Sequence, residues 1–203
     1  MRRKTVGVAF VIAWLWLTAA AVAAQVPPAA KSPGGSLSAG AGLSAFDVAF
    51  QGSWMLGETA WIDYDPNFQW APLHGLGLEI EARDISLNRP SSLPSNFRQT
   101  TGGGGPIYFL HLSRFPNFRP YGKVVLSYAA INWNNPNPKF SHETRNISAP
   151  GVGFEYPVYH NLLARVDWEY QFWPDFGAVR SAILDPQGFT FGLMYSFHNP
   201  SKR

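Results

Sequence analysis

His111 and Ser113 are the first residues in this chain whose types and spacing could do chemistry. An imidazole beside a hydroxyl can serve as general base to a nucleophile, and residues two apart on a strand share a face, so the groups could meet. Such a pair needs an acid to orient the histidine, and none lies between Ser113 and Glu143. The pair therefore reads as hydrogen bonding rather than catalysis. His74, His111, His142, His160 and His198 are scattered, without the spacing of a zinc site. Gly102–Gly105 lacks the Lys-Ser/Thr of a phosphate loop and reads as a flexible connection. The absence of cysteine excludes thiol chemistry, thiolate metal sites and a disulfide framework. No catalysis, metal or cofactor is expected from these residues.

A second set of ionisable residues is ordered. Asp63, Glu79, Glu81, Arg83, Lys123, Glu155, Arg165, Asp167 and Glu169 all fall on the polar side of segments that alternate by face. In 164–172, Ala164, Val166, Trp168, Tyr170 and Phe172 oppose Arg165, Asp167, Glu169 and Gln171. In 76–83, Leu76, Leu78, Ile80 and Ala82 oppose Gly77, Glu79, Glu81 and Arg83. The clearest case ends the chain: Phe189, Phe191, Leu193, Tyr195 and Phe197 share one face, while Thr190, Gly192, Met194, Ser196 and His198 share the other. Period two means β-strand. Large apolar residues on one side and small or polar ones on the other suit a barrel whose outside meets lipid. Charges inside a narrow barrel persist only if paired or hydrated. The expected result is a salt-bridged lumen, with a polar path for small solutes or ions as the alternative. Six acids against three bases would make such a path mildly cation-favouring.

Eight strand-like segments carry this pattern: 36–50, 56–64, 75–87, 106–113, 120–133, 147–156, 162–173 and 188–198. No segment shows a convincing helical period, and Pro or Gly punctuates most gaps. The later gaps sort by parity. Long connections at 88–105, 134–146 and 174–187 alternate with short ones at 114–119 and 157–161, as in barrels with long external loops and short periplasmic turns. The first two gaps, 51–55 and 65–74, do not follow the rule.

The N-terminus reads as an export signal over residues 1–24. Arg2, Arg3 and Lys4 precede an apolar run from Thr5 to Val22, and small residues stand at Ala21, Ala23 and Ala24. The run is also about long enough to be an uncleaved helical anchor, but the Ala-rich end and the Pro-rich stretch after it favour cleavage. Residues 25–35 read as a disordered lead-in, 36–198 as the barrel and 199–203 as a tail. Of 16 basic residues three belong to the signal, which leaves 13 against 13 acids. A neutral mature chain gives no reason to expect nucleic acid.

Aromatics cluster near strand ends, where amphipathic rings form girdles at the two membrane interfaces. They are Trp54, Trp61, Tyr64, Phe68, Trp70, Phe115, Phe118, Tyr121, Trp133, Tyr156, Tyr159, Phe172, Trp173 and Phe197. The stretches 62–66 (IDYDP), 75–83 (GLGLEIEAR), 119–123 (RPYGK), 150–156 (PGVGFEY), 165–176 (RVDWEYQFWPDF) and 186–197 (PQGFTFGLMYSF) carry a resemblance. In that order they resemble the small outer-membrane β-barrel proteins of the OmpA-like and opacity-protein type, of the kind common in Acidobacteria-like genomes. The resemblance implies an eight-stranded antiparallel up-and-down barrel in the outer membrane, inserted by the barrel assembly machinery. That machinery reads a terminal aromatic, and six residues follow Phe197 here.

The expectation is a non-enzymatic outer-membrane barrel with a structural or surface-interaction role. Its partners would be membrane lipid, lipopolysaccharide and a surface ligand reached by the loops 88–105, 134–146 and 174–187. Arg89, Arg98, Lys139 and Arg145 in those loops could touch lipopolysaccharide phosphates. A narrow channel is the alternative. Further readings are a lipid A-modifying enzyme using His111 and Ser113, and a soluble lipocalin-like barrel with the aromatics turned inward.

Overall fold

The computed structural model describes residues 35–47, 54–68, 70–87, 97–132, 142–174 and 185–197. Eight strands follow in chain order: β1 Ser36–Asp47, β2 Trp54–Asp65, β3 Leu76–Leu87, β4 Phe97–Phe109, β5 Arg119–Asn132, β6 His142–Tyr159, β7 Leu162–Tyr170 and β8 Gln187–Ser196. Each pairs antiparallel with its sequence neighbours, and β8 closes on β1, so the sheet has no outer edge strand.

The register fixes the tilt of the strands. From Tyr128 the paired positions run through Gly102, Ala82, Ala60, Ala41, Leu193 and Ala164, and return to β6 at Tyr156. Tyr128 itself pairs with Asn146, so the circuit closes with a stagger of ten residues. That is about 33 Å of stagger around about 38 Å of circumference, which tilts the strands by about 40°.

Alternation holds around the wall. Phe189, Phe191, Leu193 and Tyr195 of β8, with Phe197 just past its end, are exposed, while Gly188, Thr190, Met194 and Ser196 are buried. The expected export segment 1–24, nearly all of the expected lead-in, Trp133 and the expected tail 199–203 lie outside the described residues.

β4 departs from expectation. Gly102–Gly105 is not a loop but the middle of a strand that begins at Phe97, and Leu110–Ser113 lies beyond its end. With the strands so bounded, the connections at the end away from the start of β1 run 6, 9, 9 and 16 residues. Those at the other end run 10, 9 and 2, so the sorting of long and short gaps is much weaker than the sequence suggests. The cause is steric. A Cβ on Gly103 would stand 2.2 Å from the Leu126 carbonyl oxygen, and one on Gly105 1.9 Å from that of Val124. Here the glycines permit a close approach of β4 to β5, a use of Gly in strands that resembles turn punctuation in the sequence. Gly75 is a turn glycine in the usual sense, at φ +96°.

The two kinds of glycine position should respond differently. Gly105→Val must push β4 off the β5 backbone and should cost about 1–3 kcal/mol. Gly102→Ala meets nothing within 4 Å and should be neutral. Urea unfolding of the refolded protein in detergent, scored by the heat-sensitive gel band, reads both.

Candidate functional site

The inward side chains form three tiers. At the end where β1 stops, Phe46, Met55, Ile85, Phe97, Ala129, Ile131, Ile147 and Trp173 make one apolar cluster. Two smaller clusters, Trp61–Leu163–Met194 and Ile107–Phe109–Tyr121, occupy the end where β1 begins. Between them lies the charged tier, and all nine ionisable residues singled out in the sequence face inward and are buried.

Three cations organise that tier. Lys123 Nζ lies 2.8 Å from Glu79 and 2.6 Å from Glu81, with Asp167 at 3.4 Å and Glu169 at 3.5 Å. Arg83 donates to Glu169 at 2.6 Å, to Glu81 at 2.5 Å and to the Thr59 hydroxyl at 3.0 Å. Arg165 donates to Asp63 at 2.9 Å, to Asp167 at 3.2 Å and to Glu79. Neutral groups extend the set: the Tyr121 hydroxyl donates to Asp167 at 3.1 Å and Gln171 to Glu169 at 3.0 Å. Trp173 and Gln99 in turn donate to Gln171, at 3.1 and 2.8 Å.

The reach of Lys123 depends on a stretch of β4 that contributes no side chain at its level. Lys123 is on β5, whereas Glu79 and Glu81 are on β3, two strands away. The β4 positions between them, paired with Glu79 and Glu81, are Gly105 and Gly103. Any larger residue there would fill the gap the lysine crosses. In the sequence both glycines look like part of a loop; their inward phase with Thr101 and Ile107 is the signal that could have found them.

Aromatic rings close over the charges from both sides. Arg83 lies 4.2 Å from the Phe46 ring centre, toward the large apolar tier. Arg165 lies 4.8 Å from Trp61 and 4.6 Å from Tyr121, toward the other. Such cation–π contacts strengthen when desolvated. They also correct the expected girdle, because Trp61, Tyr121 and Trp173 are buried inside the barrel. Strand phase decides it: Trp61 keeps step with Asp63, Tyr121 with Lys123 and Trp173 with Gln171. Ten of the expected girdle residues, among them Trp54, Trp70, Tyr156 and Phe197, are exposed.

Glu155 sits apart from the central tier and pairs with Arg119 at 2.9 Å. Arg119 is a fourth inward cation that sequence reasoning missed, although it is in phase with Tyr121 and Lys123. Beside it, Ser36, Ser38, Asp63 and Asp65 border a cavity of about 10 Å³, space for about one water.

The remaining chemistry does not assemble. His111 and Ser113 lie past β4 in the connection to β5 and are exposed, so the shared strand face that would have joined them does not exist. The His111 ring meets His74 edge-on at 4.8 Å. Among the described residues no group of three or more His, Cys, Asp or Glu could hold a metal ion. Arg98 and Arg145 belong to β4 and β6 rather than to loops, and each pairs with an acid, Asp84 and Glu143. Arg89 and Lys139 lie outside the described residues.

Solved structures of similar shape are outer-membrane barrels. Neisserial surface protein A superposes with a TM-score of 0.51 at 14% identity, over 79% of this chain and 96% of its own. OprG from Pseudomonas aeruginosa gives 0.52 at 14% identity, over 81% and 96%. A major outer membrane protein from Thermus thermophilus gives 0.51 at 12% identity, over 81% and 100%. No curated protein matches the chain in sequence. At these identities the likeness shows the fold. The sequence profile described as "Outer membrane protein beta-barrel domain" matches residues 16–197, nearly the whole chain. An eight-stranded closed barrel with an apolar outside and a charged inside, matched over that span, makes the chain a member of the outer-membrane β-barrel protein family.

Proposed function

We propose that this protein is exported by residues 1–24 and serves as a structural, surface-presenting barrel with a closed interior and no catalytic activity. The observation that carries this reading is the seal across the middle of the barrel. Lys123, Arg83 and Arg165 bridge carboxylates from β2, β3 and β7, and Phe46, Trp61 and Tyr121 stack on the two guanidinium groups. Eight strands enclose little more than their own side chains need, and here those side chains tie opposite walls together. Recognition of a surface partner would fall to the segments joining β3 to β4, β5 to β6 and β7 to β8. Insertion would use the barrel assembly machinery, with Phe189, Phe191, Leu193, Tyr195 and Phe197 of the last strand facing lipid. The acid excess of the interior is the observation that favours the alternative, a narrow cation path.

Cell fractionation tests the placement. The full chain should be recovered in the outer membrane as a band whose mobility shifts on boiling. Recovery as soluble periplasmic protein would overturn the reading. The seal has its own test. Lys123→Met leaves Glu79 and Glu81 buried without their shared cation and should cost about 3–5 kcal/mol. Adding Glu81→Gln should restore part of that loss, because one of the stranded charges is removed. Urea titrations of the refolded variants measure both steps; independent, additive losses would contradict a shared network.

A further inference from the structure

The barrel wall has a step in it. β5 pairs with β6 along its whole length, out to Asn132 opposite His142. The pairing of β6 with β7 stops at Gly151 opposite Glu169. Beyond that point the described residues give a single bridge, Phe172 to Ser148, where the Phe172 amide donates to the Ser148 carbonyl at 2.9 Å. A groove of about 610 Å³ lies at the step, bordered by Leu126, Tyr128, Asn146, Ile147, Ser148 and Phe172. That is within the size range of small-molecule sites, roughly 300–1,000 Å³.

The surroundings of the groove say what would fill it. Leu126 and Tyr128 are 64% and 59% exposed, and with Val124 they form the outward face of β5. That face belongs to the apolar belt which family membership places against lipid, so the groove is continuous with an interface already established. Its floor and sides are mainly apolar, with two aromatic rings. Polar groups, Asn146 and Ser148, stand on the β6 side, opposite Tyr128 and Leu126 in the register. An apolar wall with an amide and a hydroxyl along one side suits a hydrocarbon chain with an ester or amide at its head, and aromatic rings prefer the headgroup level. The groove lies toward the end where β5 stops and β6 starts, opposite the beginning of β1. With both termini on the periplasmic side, that is the outer leaflet. We infer that the groove at the β6–β7 step is a binding site for one acyl chain of a lipid A-type glycolipid. The inference rests on the outer-membrane placement proposed above, which assigns the leaflet.

Native mass spectrometry of the barrel extracted from outer membranes in mild detergent tests it. The unmodified protein should retain one lipid A. Asn146→Trp fills the groove and Phe172→Ser removes one side, and each should lower retention by about tenfold. Leu78→Trp, on the outward face of β3, should leave it unchanged. Absence of retained lipid A, equal retention in all four proteins, retention of glycerophospholipid alone, or a protein dimer without lipid would each overturn the inference. A heat-shifted gel band from the same samples keeps that failure distinct from failure of the barrel reading. If either groove variant lacks the shifted band, photoreactive benzoylphenylalanine in place of Tyr128 serves instead. It should crosslink detergent-solubilised lipid A about tenfold more than the same label in place of Leu78, and equal labelling would overturn the site.

Discussion

Everything in the interior depends on an ammonium group buried among carboxylates. The Lys123 side chain has no solvent contact, and an isolated buried charge would cost several kcal/mol. Its two close partners, Glu79 and Glu81, offset that cost only because β4 leaves an opening at Gly103 and Gly105. The same carboxylates then serve the two arginines, so that Glu79 is shared with Arg165 and Glu81 with Arg83. A ladder of shared acids results, running from β2 through β3 and across to β7. Buried ion pairs are poor evidence of net stability compared with apolar packing. Their effect here is to tie β2, β3, β5 and β7 together through the interior.

A membrane barrel meets this requirement in an unusual form, because its outside is solvated by lipid and offers little to specify strand order. Specification moves to the interior. The two apolar tiers flank the charged tier, where a low local dielectric strengthens each ion pair. The cation–π contacts at Phe46, Trp61 and Tyr121 join the tiers. The hydroxyls of Ser44, Thr59 and Thr190 complete the polar surface where β1, β2 and β8 meet, with Ser44 2.5 Å from Thr59 and 2.8 Å from Thr190. Barrel closure and interior charge are thus one arrangement.

Much of this is legible in the residues. The alternation in β3, β5 and β7 gives the outward faces and seven of the nine buried ionisable groups, and Asp63 of β2 and Glu155 of β6 complete the set. Three things are not. β4 is misplaced by its sequence because glycine and proline mark turns far more often than strand interiors, and only the neighbouring β5 backbone explains why the side chains have to be absent. Trp61, Tyr121 and Trp173 suggest the lipid interface by their position near a strand end, although their phase with Asp63, Lys123 and Gln171 puts them inside. Arg119 escapes notice for the same reason. The partners of each charge are beyond reach, since contacts such as Arg165 with Asp63 join strands that only closure of the barrel brings together.

The central claim is that the interior is shut. Planar-bilayer recording of the purified, refolded barrel tests it most directly. The account predicts no stepwise current above the lipid baseline in molar salt. Regular single-channel steps with cation preference would contradict it, and would make the carboxylates of the middle tier the lining of a pore.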